Sequence, residues 1–228
     1  MAPVTDEQAL EIAARRTALW FWRAVRRLLR VVLHPFFSLK VVGREHLEVP
    51  GGAIIAPSHR SHFDAPLVGS LTVNRMRSVA KRSLFKTRVF GWTISALGAY
   101  PVDRGTADRN SLATSERMLN EGNQLLLFPE GTRQVGETIG ELFEGMVYLA
   151  ARTGKPVVLV GIAGTEEALP SGAKRPHRSK VRIVVGEPRY FGVDGPMKRS
   201  ERKAATLQLH TELQGLYDQA LALLPPRR

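Results

Sequence analysis

Apolar residues along this chain fall into two patterns, and each predicts a different element. Short unbroken runs stand at Ala53-Ile54-Ile55-Ala56, at Gln124-Leu125-Leu126-Leu127-Phe128, from Pro156 to Ile162 and from Val181 to Val185. Runs of this kind, with no polar alternation, read as strands covered on both faces. Pro57 stops the first, and Ser38–Val42 and Ala99–Val102 read as shorter strands. Elsewhere the spacing is helical. Residues from Pro66 to Val73 predict one helix, and about 107–120 another, with Leu112, Met118 and Leu119 inward and Gly122 beyond its end. Phe143, Met146, Val147, Ala150 and Ala151 keep helical spacing up to Gly154. A final helix over about 198–223 turns Leu209, Leu213, Leu216, Ala220 and Leu223 inward. Residues 164–180 read as a polar loop and 225–228 as a tail. Strands alternating with helices predict an α/β fold, a mixed central sheet flanked by helices.

Residues 6–33 predict one long helix, with Asp6, Glu7 and Glu11 in its first turns and Pro35 ending it. At about 100° per residue, Arg15, Arg16, Arg23, Arg26, Arg27 and Arg30 share one sector. Ala14, Ala18, Phe21, Val25, Leu28 and Val32 lie opposite, with Trp20 and Trp22 near the boundaries. An apolar stripe, a basic face and flanking tryptophans describe a helix lying in a membrane interface. The expected organisation is a membrane-associating helix over 1–37 and a single α/β domain over 38–228.

Composition narrows the partners. Of 228 residues, 43% are hydrophobic and 24% charged, as in a folded globular chain. There are no cysteines, which excludes disulfides and thiolate chemistry. A net charge of +12, from 33 basic and 21 acidic side chains, points to an anionic partner: nucleic acid, lipid headgroups or a phosphorylated substrate. No stretch offers the roughly 20 apolar residues of a transmembrane helix, and arginines recur through the first apolar region, unlike a secretory signal. Residues 78–88 are basic and lead into an uncharged segment, 89–98, holding Phe90, Trp92 and Leu97.

Two stretches carry candidate chemistry. Phe128-Pro129-Glu130-Gly131-Thr132-Arg133 follows a buried run, so it reads as a turn at a strand's carboxyl end, where open α/β sheets build ligand sites. The Arg133 guanidinium there suits a phosphate or carboxylate. Ser58-His59-Arg60-Ser61-His62-Phe63-Asp64 also follows a buried strand. Positions five apart diverge by about 140° in a helix, so His59 and Asp64 meet only across a turn. Asp64 would then accept the Nδ1 proton of His59 and leave Nε2 as a general base. The competing readings are a helix cap at Asp64, a structural hydrogen bond, and a partial zinc site at His59 and His62, which lacks a nearby third ligand.

Taken together, these pieces resemble the glycerolipid acyltransferase family, whose best-known members are the 1-acyl-sn-glycerol-3-phosphate acyltransferases. Four ordered motifs over about residues 38–188 carry the resemblance. They are Ser58 to Asp64, Gly98-Ala99-Tyr100-Pro101-Val102-Asp103-Arg104, Phe128 to Arg133, and Pro156-Val157-Val158-Leu159-Val160-Gly161-Ile162. The chain departs from the family pattern at Ser58, where Asn is common, and at Leu159, where a second proline is usual. It also has Phe143-Glu144-Gly145 where many relatives carry Phe-Lys-x-Gly.

The resemblance implies transfer of a fatty acyl group from a thioester, acyl-CoA or acyl carrier protein, to the free hydroxyl of a lysophospholipid. The foremost acceptor is 1-acyl-sn-glycerol-3-phosphate, giving phosphatidic acid. His59 would be the base and Asp64 its partner. Arg104 and Arg133 would hold the acceptor phosphate in a pocket shaped by Glu130, Gly131 and Thr132, with Lys81 a further phosphate or donor contact. No cofactor and no metal is expected. Backbone N–H groups near 58–62 would stabilise the oxyanion. The expected location is peripheral, on the cytoplasmic face of the cell membrane. Another lysolipid or glycolipid acceptor is the alternative, and a thioesterase that activates water is a second. A nucleic-acid module would interleave aromatics with arginines on an exposed strand surface. Here the aromatics sit on an amphipathic helix and in apolar runs, so nucleic acid is not an expected partner.

Overall fold

The unbroken apolar runs become the middle of one sheet because helices cover both of its faces. A computed structural model describes residues 4–102, 109–169, 175–192 and 195–225. Its strands are β1 (Lys40–Val42), β2 (Ile54–Pro57), β3 (Arg77–Lys81), β4 (Ala99–Val102), β5 (Leu125–Leu126), β6 (Val157–Ala163) and β7 (Arg182–Val185). They form one sheet in the order β1-β7-β6-β2-β5-β3-β4. Every pairing is parallel except β6 with β7, so β1 and β7 run against the other five. Strand β3 was not expected, since it lies in a basic stretch with Arg77 and Lys81 at its ends and shows no alternation of burial.

The helices are α1 (Asp6–Ala14), α2 (Arg16–Phe36), α3 (Asp64–Leu71), α4 (Arg88–Ala96), α5 (Arg109–Asn120), α6 (Gly145–Thr153), α7 (Thr165–Ala168) and α8 (Arg199–Ala222). The pleat of β2 divides the core between two layers. Ile54 and Ala56 pack with Leu125, Val157, Met146, Leu213 and Tyr217 under α6 and α8. Ile55 packs with Leu67, Leu126, Val158 and Phe37 under α2 and α3. Each wholly buried isoleucine contributes about 1.5–3 kcal/mol relative to exposure. On the first face α8 lies directly on β6. A Cβ at Gly161 would collide with the Leu216 carbonyl group and stand 2.5 Å from the Tyr217 nitrogen, so only glycine permits this approach.

The expected single helix over 6–33 is two helices, broken at Arg15, whose backbone is extended (φ −67°, ψ 141°). Thr5 and Gln8 close a reciprocal capping box at the start of α1. At its end the Arg75 guanidinium donates to the Ala13 carbonyl, and also to the Ala96 carbonyl of α4 at 3.1 Å. One side chain thus satisfies terminal carbonyls of two helices. Burial pulls its pKa down to about 10. Pro35 does not end α2, which runs to Phe36; a proline that late removes one N–H and leaves the last turn intact.

The faces of α2 also differ from the expected split. Ala18 and Trp22 are buried, Trp22 to 8% exposure, whereas Leu28 and Val32, expected on the apolar stripe, are exposed with Trp20 and Val31. Phe21 meets Trp92 of α4 with ring centroids 5.3 Å apart. The helix therefore carries a core face, a basic face and an uncovered apolar flank continued by Val89, Phe90 and Trp92. No helix among the described residues is long and apolar enough to cross a membrane. Phe143, expected to share the helical spacing that runs to Gly154, precedes α6 and is exposed, and its N–H bonds the Pro129 carbonyl.

Candidate active site

Three adjacent strands, β5, β2 and β6, end at the same edge of the sheet, and the residues that follow them meet there. After Pro57 the chain turns, and the Ser58 hydroxyl accepts the Ile162 N–H at 3.0 Å, pinning the turn to β6. The turn brings His59 back to Asp64 as the spacing argument requires, with Nδ1 3.0 Å from Oδ2. The same oxygen accepts the N–H groups of Arg60 and Ser61 at 2.6 and 2.7 Å. The other oxygen, Oδ1, accepts the Thr165 hydroxyl at 2.7 Å. Asp64 is 0% exposed, and these donors replace the water it has lost. With a carboxylate facing Nδ1, that nitrogen carries the ring proton and Nε2 keeps a lone pair. Asp64 does not cap α3: the preceding Phe63 is the N-cap, and no side chain caps the helix.

The Phe128–Arg133 turn braces this pair. Phe128 stacks on the His59 ring with centroids 3.9 Å apart and planes 26° from parallel. Glu130 is 3% exposed, and both of its oxygens are occupied. Oε1 accepts the His59 N–H at 2.7 Å and Oε2 the Gly140 N–H at 2.8 Å. Gly131 has φ +69°, and a Cβ there would stand 2.6 Å from the Phe143 ring. The Thr132 N–H bonds the Glu130 carbonyl at 2.8 Å. The Gln134 N–H bonds the His59 carbonyl at 2.8 Å. Arg133 reaches over the mouth, with Nη1 2.6 Å from Nε2 of exposed His62. His62 is held below the ordinary histidine range, first by desolvation and then by Arg133 and His59, so it is neutral and accepts that bond.

Helix α8 supports the outer loop. Gln214 accepts the Ile139 N–H at 2.8 Å and donates to the Glu137 carbonyl at 3.0 Å. The Arg60 guanidinium lies 4.5 Å over the Tyr217 ring and donates to the Thr138 carbonyl at 3.0 Å.

Of the expected site residues, His59, Asp64, Glu130, Gly131, Thr132 and Arg133 converge on one strand edge. Lys81 closes β3, separated from β2 by β5, with its side chain exposed. Arg104 lies outside the described residues. The backbone donors expected near 58–62 are mostly committed: the N–H groups of 58, 59, 60 and 61 bond Val160, Glu130 and, twice, Asp64. Thr165 was not anticipated, being the start of what read as a polar loop. The rule that ligand sites gather at strand carboxyl ends would have flagged it at the end of β6. Among the described residues no group of three or more His, Asp or Glu is placed to hold a metal.

An apolar cavity of about 320 Å³ opens between α2, α3, α4 and the strands and reaches Ala65, the residue after Asp64. Trp22, Leu29, Pro66, Met76, Leu97 and Leu126 line it.

The site thus joins a histidine held by a buried carboxylate to an exposed guanidinium at the carboxyl ends of adjacent strands, a place where α/β sheets bind ligands. The Acyltransferase family model matches residues 38–163, more than half of the chain, and the chain belongs to that family. A 1-acyl-sn-glycerol-3-phosphate acyltransferase of Bacillus subtilis is 28% identical over 178 residues, covering 78% of this chain and 86% of the relative. A chloroplastic 1-acyl-sn-glycerol-3-phosphate acyltransferase of Arabidopsis thaliana is 27% identical over 164 residues, 69% of this chain and 45% of the relative. The chain spans about half the length of that relative and of a Brassica napus one, at 45% and 47%. The fold matches the crystal structure of the 1-acyl-sn-glycerophosphate acyltransferase PlsC from Thermotoga maritima. The TM-score is 0.72 at 22% identity, over 95% of this chain and 88% of that one.

Proposed function

We propose that the protein transfers a fatty acyl group from acyl-CoA or acyl carrier protein to the free hydroxyl of 1-acyl-sn-glycerol-3-phosphate, forming phosphatidic acid. The observation that carries this reading is His59 held by Asp64 at 3.0 Å at the carboxyl end of β2, with Nε2 hydrogen-bonded to none of the described residues. An alcohol is a weak nucleophile at neutral pH, so a positioned base must take its proton as the bond forms. His59 Nε2 takes the acceptor's hydroxyl proton while the oxygen attacks the thioester carbonyl carbon. The tetrahedral intermediate collapses, the C–S bond breaks, and the imidazolium returns the proton to the leaving thiolate. Asp64 holds the tautomer and stabilises the imidazolium.

Arg133 binds the acceptor phosphate at the mouth, and Arg104 is its expected companion. Glu130, with both oxygens on backbone N–H groups, holds the histidine loop and leaves phosphate recognition to the guanidinium. A carboxylate facing a phosphate would repel it. Gly131 and Thr132 complete the turn, and Lys81 supplies positive charge further along the edge. The apolar cavity accepts an acyl chain.

Such a reaction takes place at a bilayer surface. The uncovered apolar flank of α2, with Phe90 and Trp92, would enter the interface while Arg23, Arg27 and Arg30 meet anionic headgroups. We therefore infer a peripheral protein on the cytoplasmic face of the membrane. The test is purified protein with labelled acyl-CoA and a panel of acceptors in mixed micelles. Label in phosphatidic acid, lost in His59→Ala, is expected. Release of free fatty acid without any acceptor would identify a thioesterase instead.

A further inference from the structure

Asp64 does not touch the substrates in this reading; it works by holding His59, so whatever holds Asp64 governs the base. Three of its donors, His59 Nδ1 and the N–H groups of Arg60 and Ser61, converge on Oδ2. Oδ1 has one donor among the described residues, the Thr165 hydroxyl at 2.7 Å. Thr165 is wholly buried and comes from a different element, the first turn of α7, which Gly164 joins to the end of β6. It also lies just beyond the residues that the family model matches, 38–163.

We propose that Thr165 is a positioning residue for the reaction, a hydroxyl that fixes the Asp64 carboxylate and through it the orientation of the His59 ring. The inference rests on the reading of His59 as the base. The two carboxylate oxygens compete for donors. A buried carboxylate oxygen with no partner costs about 1–3 kcal/mol or more, and the group relieves that cost by rotating. Rotation would bring Oδ1 towards the donors now shared by Oδ2, and one of those donors is the catalytic ring itself. Thr165 removes the incentive. A fixed carboxylate then holds the Nδ1–H tautomer, while Phe128 stacked on the ring holds its plane. The fourth donor also disperses the negative charge facing His59, which keeps the imidazolium from being held too tightly to return its proton. The titratable and charged groups disposed around the pair are Arg60, His62, Arg133, Glu130 and, from α7, Glu166, whose carboxyl burial pushes up. None of these supplies Oδ1 with a hydrogen bond.

The experiment compares Thr165→Val, which keeps the shape and loses the donor, with Thr165→Ser, which keeps the donor. Each full chain is assayed with acyl-CoA and 1-acyl-sn-glycerol-3-phosphate. Separately, the His59 ring nitrogens are followed by ¹⁵N NMR across a pH series without substrate. The valine variant should lose roughly ten- to a hundredfold in kcat, part of the ~10²–10⁴ that general-base catalysis supplies. Both KM values should stay within about twofold, as for a loss felt in the transition state alone. Its His59 titration should move to higher pH, because a carboxylate with fewer donors grips the imidazolium more strongly. The serine variant should match the wild type in both. A folded valine variant with wild-type kcat and an unmoved His59 titration would overturn the proposal, as would a serine variant impaired like the valine one. Thr165→Ala removes the same donor without placing a methyl against the carboxylate, and is read by the same criteria if the valine chain does not fold. The NMR arm needs no turnover. A wild-type protein inactive in acyl transfer would therefore sink the proposed function while leaving the Thr165 link measurable.

Discussion

Replacing Glu130 by alanine separates two roles that an acid in the Phe128–Arg133 turn can have. In the structure its two oxygens receive the N–H groups of His59 and Gly140 at 2.7 and 2.8 Å, and the residue is 3% exposed. Hydrogen bonds to a charged group contribute about 1.5–3 kcal/mol each. Losing both with little water to replace them should cost about 3–6 kcal/mol, a large share of the ~5–15 kcal/mol of a typical domain. The kinetic effect follows from the same bonds. The His59 backbone loses its tie to the turn, and a displacement of about 1 Å at a reacting group can cost ~10² in rate. The expected result for Glu130→Ala is a lower urea midpoint and a kcat reduced on the order of a hundredfold, with acceptor KM changed by less than about threefold. Glu130→Gln keeps one acceptor but turns an amide N–H towards the other donor, so it should fall between alanine and wild type. Urea unfolding followed by tryptophan fluorescence and kinetics in mixed micelles measure the two effects. Unchanged stability with a strongly raised acceptor KM would refute the reasoning and put the carboxylate on the substrate.

Arg133→Ala should raise KM for a phosphorylated acceptor by roughly ten- to a hundredfold, the loss of one charge-assisted interaction, and spare an acceptor that lacks the phosphate. Equal effects on both acceptors would remove Arg133 from phosphate recognition. Gly161→Ala forces a methyl group into the α8 backbone and should destabilise by about 1–3 kcal/mol or more, read as a lower urea midpoint. Stability should also rise with pH through the ordinary histidine range. His34 and His62 are held below that range, chiefly by desolvation and then by Arg30 and Arg133, so near pH ~6.5 the unfolded chain binds more protons than the folded one. Their contribution is full above the unfolded value and is lost as pH falls through the lowered folded values. His34→Gln should flatten the slope of urea midpoint against pH, and an unchanged slope would count against the burial of a neutral His34.

Strands were legible wherever burial on both faces suppresses alternation, as at Ile54–Pro57 and Val157–Ala163. The His59–Asp64 turn was legible because a helix forbids the contact and Pro57 forbids a longer strand. The break at Arg15 was not, since no glycine or proline marks it and its partner, Arg75, is sixty residues away in sequence. The inward turn of Trp22 was hidden for a related reason. Helical geometry ranks positions around an axis, but only the neighbours α3 and α4 decide which sector faces the body. Glu130 shows the limit at the site: its place at the strand edge could be read, but its partners are two backbone groups that leave no side-chain signature. Thr165 carried still less, a hydroxyl in a polar stretch whose meaning comes from a carboxylate a hundred residues earlier.

The hold of α8 on the sheet has a consequence for how the protein is made. Gly161 lets that helix lie directly on β6, Gln214 grips 137–139, and the neighbouring Gly140 in turn bonds Glu130, which bonds His59. Helix α8 follows every strand among the described residues. His59, Asp64 and Arg133 therefore leave the ribosome well before the element that steadies their loops, and the face of the sheet that α6 and α8 share lacks α8 in the meantime. Maturation of the site should therefore be a late event in biosynthesis, coupled to the docking of α8. The same interval is when the nascent chain most needs protection from aggregation.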